Sequence, residues 1–187
     1  MGLDMYLSRK KFIGARYEHR NITGSIDIKQ EGKPIPIDFN KVDYIEEGIA
    51  YWRKANQIHK WFVDHCQDGT DDCKPYYVAK EDLENLLETC KEVKEKAILK
   101  HGEVKNGEKL ENGEWKPIME EGDYIENYEE IAELLPTESG CFFGSTDYDE
   151  YYMQDIDYTI KTLEQILEED NKIDKDILID YIYQSSW

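Results

Sequence analysis

Long apolar runs, regularly spaced cysteines and a basic segment are all missing from this chain of 187 residues. No stretch has enough consecutive apolar residues to cross a bilayer, and the first dozen residues lack the apolar core of a signal peptide. The four cysteines have no spacing typical of a disulfide framework. We therefore expect a cytoplasmic protein with reduced thiols and no membrane association.

Basic residues are scarce relative to acidic ones. Lys and Arg number 23 against 42 Asp and Glu, which gives a formal net charge of -19. Residues 120–187 hold 20 acidic and 3 basic residues, a net of -17, whereas residues 1–119 hold 22 and 20, a net of -2. Phosphate contacts need Lys and Arg, so direct binding to nucleic acid or to an anionic membrane is disfavoured. The charge favours a basic partner surface, and the alternative is that it only keeps the protein soluble.

The usual fingerprints of catalysis and of cofactor binding are absent from the sequence. There is no dinucleotide or phosphate-loop glycine pattern, no serine nucleophile elbow and no zinc-protease helix motif. Cys141 lies between Gly140 and Gly144, but without a signature for a catalytic thiol. His59 and His65 are six residues apart, so they lie on different faces of a helix. The sequence therefore predicts no catalytic residue, no cofactor and no metal site.

Hydrophobic residues make up 40% of the chain and aromatics 12%, which indicates a folded protein despite the charge. The strongest helical pattern is an apolar stripe spaced by three and four residues: Ile45, Ile49, Trp52, Ala55, Ile58, Phe62 and Cys66. It predicts one long helix as the spine of the core. Further helices are expected at about residues 81–99, 128–135, 147–170 and 175–183. The helix at 147–170 would be capped by Ser145 or Thr146, and it has the inward stripe Tyr152, Ile156, Ile160, Leu163 and Leu167.

Alternating or short apolar segments predict strands at residues 3–7, 11–17, around 26–28, 76–78 and 141–143. Residues 104–117 contain two Asn-Gly dipeptides and predict an exposed hairpin or loop. The length suits a single domain over residues 1–187. The expected fold is α+β, a small antiparallel sheet packed against three to four helices.

Four phrases of the sequence carry a resemblance. They are GLDMYL at residues 2–7, YWRKANQIHKWF at 51–62, CKPYYV at 73–78 and FFGSTDYDEYY at 142–152. Together they resemble a family of small proteins found in bacteria, phages and other mobile elements. The resemblance implies a phage or prophage cytoplasmic protein, a setting in which small acidic inhibitors of host defence act, anti-CRISPR proteins among them. It implies no catalytic residue.

Two functions from different classes follow from these observations, and a structural protein of a phage particle is a third option. The first is an acidic interaction protein that inhibits a host defence protein by occupying its basic, nucleic-acid-handling surface, for example on a CRISPR effector nuclease. Its contact residues would lie at the start of the acidic helix: Asp147, Tyr148, Asp149, Glu150, Tyr151 and Asp155, with Tyr152 as a further aromatic anchor.

The second function is a binding protein or enzyme for a small ligand such as a nucleotide, with a cleft beside Asn56 and His59. Trp52 would form a stacking wall, and Arg53 or Arg16 would hold an anionic group. The alternative for Asn56 and His59 is that both are hydrogen-bonded residues at the edge of the core. The sequence leaves the oligomeric state open.

Overall fold

A computed structural model of the chain describes residues 2–14 and 22–187. The fold is α+β, as predicted. The strands are β1 (Asp4–Phe12), β2 (Ile28–Gln30), β3 (Lys33–Ile35), β4 (Tyr44–Arg53), β5 (Tyr76–Val78), β6 (Leu99–Glu111), β7 (Glu114–Ile125) and β8 (Leu178–Ser186), and the helices are α1 (Asn56–Cys66), α2 (Lys80–Lys96), α3 (Tyr128–Leu134) and α4 (Glu150–Asp170). A short 3-10 helix at Phe39–Lys41 precedes β4.

The central sheet has the strand order β4-β1-β8-β5, and every neighbouring pair is antiparallel. The first strand therefore lies between β4 and β8, the last strand in chain order. Asp4 is paired with Arg53 on one side and with Ser186 on the other. The period-two pattern of β1 sends Met5 and Leu7 to the core face, where both are fully buried.

The buried side chains of this sheet and of the helices form one apolar cluster. Trp52 of β4 lies within it and is 2% exposed. Its indole nitrogen donates to the Thr159 hydroxyl of α4 at 2.9 Å, which satisfies the one polar atom of a buried indole. Helices α2 and α4 pack against each other over the same cluster. The four-stranded sheet and its helices thus share a single core.

Two predicted helical segments are strands. The stripe from Ile45 to Trp52 belongs to β4, so the predicted spine helix is wrong over its first half, and α1 begins only at Asn56. Residues 175–183 form no helix, because Leu178–Ser186 is β8. Both segments are rich in Ile and Tyr, which fit a half-buried pleated surface better than a helix. Each also finds a long antiparallel partner in β1.

The short strand predicted at residues 141–143 is also wrong. The backbone turns there, with Phe142 at a φ of 69°, and only Phe143 of the three residues is buried. The cap predicted at Ser145 or Thr146 is wrong as well, because Asp149 is the residue that caps α4. Of the strand predicted over residues 11–17, residues 11 and 12 are the last two of β1, and residues 13 and 14 have no regular structure. Residues 15–17 lie outside the described residues.

The strands predicted at residues 3–7 and 76–78 are confirmed, as are the helices that became α2, α3 and α4. The inward side of α4 carries more than the predicted stripe. Its buried residues are Tyr152, Met153, Ile156, Thr159, Leu163, Ile166 and Asp170. Within residues 2–14 and 22–187, no helix is both long enough and apolar enough to span a membrane.

Residues 104–117 lie within a β-hairpin longer than the predicted segment. Strands β6 and β7 pair with each other from Leu99 and Ile125 outward to Glu111 and Glu114. Asn112 and Gly113 form the turn, with φ values of 54° and 84°, as expected for an Asn-Gly hairpin turn. The second Asn-Gly dipeptide lies at an irregularity between Lys105 and Glu108.

Candidate functional site

The loop of residues 135–149 is fastened to the start of α1 by one side chain. Asn56 is buried, and its amide nitrogen donates to the carbonyl oxygens of Phe143 (3.3 Å) and Ser145 (2.7 Å). Its amide oxygen accepts from the backbone nitrogen of Glu138 at 2.9 Å. Asn56 therefore uses both ends of its amide to shape an irregular loop.

The junction between β4 and α1 lies against the same loop. Lys54 has a φ of 63°, a left-handed conformation that is uncommon for a residue with a side chain. Gly144 packs on it with a φ of 98°, and a Cβ at Gly144 would lie 3.0 Å from the Lys54 Cβ. Glycine is therefore required at 144 by both backbone conformation and space. The Lys54 backbone nitrogen donates to the Leu3 carbonyl at 2.8 Å, which ties the junction to the chain before β1.

A cleft of about 410 Å³ opens between this junction, the loop and the first turns of α4. Arg53, Lys54 and Gln57 line one part of it, and Asp147, Asp149 and Asp155 line another. Both cations are exposed, and neither forms an ion pair with any residue in the described ranges. The cleft thus holds charges of both signs that no ion pair joins.

Asp155 is the carboxyl whose protonation the cleft changes most. It is partly buried and accepts one hydrogen bond, from the Gln57 amide nitrogen at 3.1 Å. The pKa of Asp155 is raised from 3.8 to about 6. Burial is the main cause, the Gln57 bond lowers the pKa, and the charge of nearby Asp149 raises it. A carboxyl with this pKa exchanges a proton close to neutral pH.

Asp149 is the N-cap residue of α4. One carboxylate oxygen accepts from the backbone nitrogens of Tyr151 (2.9 Å) and Tyr152 (3.1 Å), the N-cap arrangement. Burial raises the pKa of Asp149, while these two hydrogen bonds lower it. Asp149 is 8% exposed, so little of its charge faces a macromolecular partner. Asp147, by contrast, is exposed and accepts from the Ser145 hydroxyl at 2.6 Å.

The three neighbouring tyrosines also differ in how far they are exposed to solvent. Tyr152 is buried and donates its hydroxyl to the Leu135 carbonyl at 2.8 Å. Tyr148 is half-buried, and its hydroxyl accepts from the Thr137 backbone nitrogen at 3.1 Å. Tyr151 is 57% exposed. The structure therefore leaves Asp147, Glu150 and Tyr151 of the predicted contact set on the surface, and it gives Tyr148, Asp149 and Tyr152 structural contacts.

The predicted ligand cleft beside Trp52, Asn56 and His59 needs correction. Trp52 cannot stack on a ligand, because its ring is enclosed in the core. His59 is 1% exposed, with Nδ1 2.8 Å from the Tyr183 hydroxyl and Nε2 3.1 Å from an Asp71 carboxylate oxygen. The alternative interpretation, hydrogen-bonded residues at the edge of the core, describes Asn56 and His59. Arg53 does lie in a cleft, and Arg16 lies outside the described residues.

A second cleft of about 410 Å³ borders His59 on the other side of the loop. Its one lysine, Lys60, is held by Asp64 at 3.0 Å and by Glu138 at 3.3 Å. The cation of that cleft is thus already neutralised. Arg53 and Lys54 have no such partner in the described part of the chain, and this difference distinguishes the two clefts.

The acidic last third of the chain is partly compensated by cations from the rest. Counting only residues 2–14 and 22–187, seven of its carboxylates lie within 4.0 Å of a Lys or Arg of the first 119 residues: Glu126, Glu130, Glu138, Asp157, Glu164, Glu169 and Asp170. On α4, Asp157 is paired with Lys94 and Glu164 with Lys91, both from α2. The net charge is unchanged, but the outward face of α4 is less anionic than its sequence implies.

Sequence reasoning does not single out Lys54 and Gln57, although both lie within the phrase YWRKANQIHKWF. Their place in the cleft depends on the left-handed turn at Lys54, which no local pattern announces. Among the residues that the structure describes, no three His, Cys, Asp or Glu side chains are arranged to hold a metal ion together. Comparison of the chain with known proteins found no matching family model, no matching curated protein and no matching solved structure.

Proposed function

We propose that the protein binds a small molecule carrying both an anionic group and hydroxyl or amino groups, in the cleft beside Arg53 and Lys54. One observation carries the proposal: two exposed cations and three carboxylates line the same cleft, and no ion pair among the residues that the structure describes closes it. Charges left apart in this way can each be satisfied by complementary groups of one ligand.

The chemistry of the lining residues narrows the ligand class. Arg53 offers a planar fork of donors that suits a phosphate or carboxylate, and Lys54 adds a second positive charge. Asp147 and Asp155 offer acceptors for hydroxyl or amino hydrogens. A nucleotide combines a phosphate with ribose hydroxyls, so we propose a nucleotide as the ligand.

Calorimetric titration of the purified protein with AMP, cyclic AMP, inorganic phosphate and ribose tests this function. We expect a nucleotide to bind more tightly than phosphate or ribose alone, because it uses both halves of the cleft. The variants Arg53→Ala and Lys54→Gln should each weaken binding by about tenfold. Lys175→Gln removes an exposed lysine that lies outside the cleft and pairs with no carboxylate of residues 2–14 and 22–187, and it should bind as the wild type does. Absence of binding by every probe at millimolar concentration, or an unchanged affinity of Arg53→Ala, would contradict the proposal.

A second candidate function is the acidic interaction protein, an inhibitor of a host nucleic-acid-handling defence protein such as a CRISPR effector nuclease. The net charge of -19 and the adjoining exposed residues Asp147, Glu150 and Tyr151 favour it. The cap residue Asp149 is left out of the proposed surface, since changing it would disturb α4 itself.

Titration of a purified, guide-loaded CRISPR effector nuclease at rising salt tests this second function. We expect affinity to fall with salt, because ions screen surface charge. The double variant Asp147→Lys with Glu150→Lys should lose binding, whereas Glu84→Lys with Glu88→Lys makes the same charge change on α2 and should retain most of it. Salt-independent binding, or equal losses in both double variants, would count against a localised acidic contact.

A further inference from the structure

The hairpin of β6 and β7 has two chemically different faces over its outer half. Leu110 lies directly opposite Trp115, and Pro117 and Met119 follow Trp115 at a period of two along β7. The opposite face carries the charged residues Lys109, Glu111, Glu114 and Lys116. The face of Trp115 also carries Glu108, opposite Pro117, and Lys105, opposite Met119, and these two form an ion pair at 2.7 Å. The outer half therefore has one charged face and one face on which a row of apolar residues borders that ion pair.

The row of apolar residues is open to solvent. Trp115 is 67% exposed, Leu110 61% and Met119 48%. Most tryptophans in a folded domain bury far more of their surface, and clustered exposed apolar side chains mark interaction sites. An isolated two-stranded hairpin is also only marginally stable in water, so a partner on this face would stabilise it.

Closer to the body of the protein, the same face becomes acidic. Glu103 lies directly opposite Glu121, and like charges in that arrangement destabilise a strand pair. His101 lies 3.4 Å from Glu121 through Nε2, but Glu103 has no ion pair within the described part of the chain. A cation brought by a partner would relieve the repulsion between the two glutamates.

We propose that this docking face, formed by Leu110, Trp115, Pro117 and Met119 with Glu103 and Glu121, binds a protein whose surface has an apolar pocket bordered by Lys or Arg. The apolar residues would enter the pocket, and the glutamates would meet the basic border. The proposal rests on the second candidate function, since it names the surface through which a basic partner is held, and it is independent of the ligand cleft.

Charge complementarity selects this occupant over a second copy of the chain. Two copies would each carry a formal net charge of -19, and a symmetric contact would bring two Glu103–Glu121 pairs together. Residues 104–119 by themselves have three Lys and three Glu and no net charge. The hairpin can therefore enter an apolar pocket, while the acidic body faces basic surroundings.

Site-specific photo-crosslinking tests the proposal in the cell that encodes the chain. A benzoylphenylalanine replaces Trp115 on the docking face or, as the control, Lys116 on the opposite face. The protein crosslinked from position 115 is then identified, purified and titrated with the wild type and with variants. Trp115→Ser should weaken binding about 30-fold, as expected for an aromatic anchor. Glu103→Lys with Glu121→Lys should weaken it and reduce its salt dependence, while Lys116→Ser should bind within about twofold of the wild type.

The outcomes separate this proposal from the function on which it rests. The purified partner could bind Trp115→Ser as tightly as the wild type and fail to bind the double variant Asp147→Lys with Glu150→Lys. This result would support the interaction function and overturn the docking face. Crosslinks only to a second copy of the chain, or equal crosslinking from both positions, overturn it as well. Circular dichroism of Trp115→Ser should match the wild type, since the side chain is mostly exposed.

Discussion

Replacing Asp155 by Asn should make the protein more stable than the wild type at neutral pH. At acid pH the two proteins should be equally stable. Asp155 is a partly buried carboxyl with one hydrogen bond, from the Gln57 amide nitrogen. An Asn oxygen accepts the same bond without placing a charge there. Burial disfavours the ionised form of the Asp155 carboxyl, and the variant removes that charge.

The size of the effect follows from the pKa. Asp155 has a pKa of about 6 in the fold against 3.8 as its ordinary value. A difference of about two pKa units corresponds to about 3 kcal/mol, and water reaching the partly exposed carboxyl lowers this to about 2 kcal/mol. In a chain of this length, about 2 kcal/mol raises the melting temperature by roughly 4 to 8 °C.

The sign of the pH dependence is fixed by the direction of the shift. The folded state binds the proton of Asp155 more tightly than the unfolded state, so this group favours folding most below pH 4. That contribution is lost as the pH rises to about 6, and the wild type then keeps a buried charge that Asp155→Asn lacks. The two proteins should have equal stability near pH 4, diverge between pH 4 and 6 and differ by a constant amount above pH 7.

Urea unfolding of both proteins at pH 4, 5, 6, 7 and 8 measures this difference. Asp157→Asn is the matched control, because it removes an exposed carboxylate two residues away on the same helix and should change stability by less than about 1 kcal/mol. If Asp155→Asn is no more stable than the wild type at pH 8, or if its advantage is the same at every pH, the account of Asp155 is wrong. The variant should also bind nucleotide more weakly at pH 8, since a carboxylate is lost from the cleft.

Three further predictions concern the supports of the cleft and the sheet. Asn56→Ala should lower the free energy of unfolding by about 2 to 3 kcal/mol and speed amide hydrogen exchange in residues 135–149, because three backbone groups lose their partner; unchanged exchange would show that the loop is held otherwise. Asp149→Ala should lower it by about 1 kcal/mol and Asp149→Asn by much less, as measured by thermal melts, and equal losses would argue against a capping role. Arg9→Ala should lower the free energy of unfolding by about 3 to 5 kcal/mol, because it leaves the buried carboxylate of Asp170, which Arg9 contacts at 2.6 Å, without its cation. In chemical denaturation the double variant Arg9→Met with Asp170→Leu should lose much less, and equal losses in the two variants would contradict this reasoning.

The sequence predicts the elements with strong local signals and misjudges those whose local pattern fits two structures. Helices α2 and α4 have long apolar stripes and polar boundaries, and their identity followed from the chain alone. The segment of β4 has apolar residues that fit a helical spacing as well as a strand. Its pairing with β1 decides the matter, and that partner lies some 40 residues away in sequence.

The arrangement of the candidate site is harder to predict from the sequence than the helices and strands are. Arg53 and Asp155 are about a hundred residues apart, and they share a cleft only because Asn56 holds the intervening loop and Gly144 packs on Lys54. Nothing local tells whether a carboxylate in this acidic stretch is capped, paired or free. The sequence could therefore indicate which residue types carry the chemistry, but not which of them face each other.

The position of β8 between β1 and β5 affects how this protein is made. On the ribosome, β1 emerges from the exit tunnel early and can pair with β4 once that strand follows. Its other edge stays open until Leu178–Ser186 has been synthesised, so the nascent chain exposes an unpaired strand edge while residues 13–177 are made. A nascent-chain complex stalled before residue 178 should therefore need a chaperone or remain prone to aggregation, and release of the last strand should close the sheet in one cooperative step.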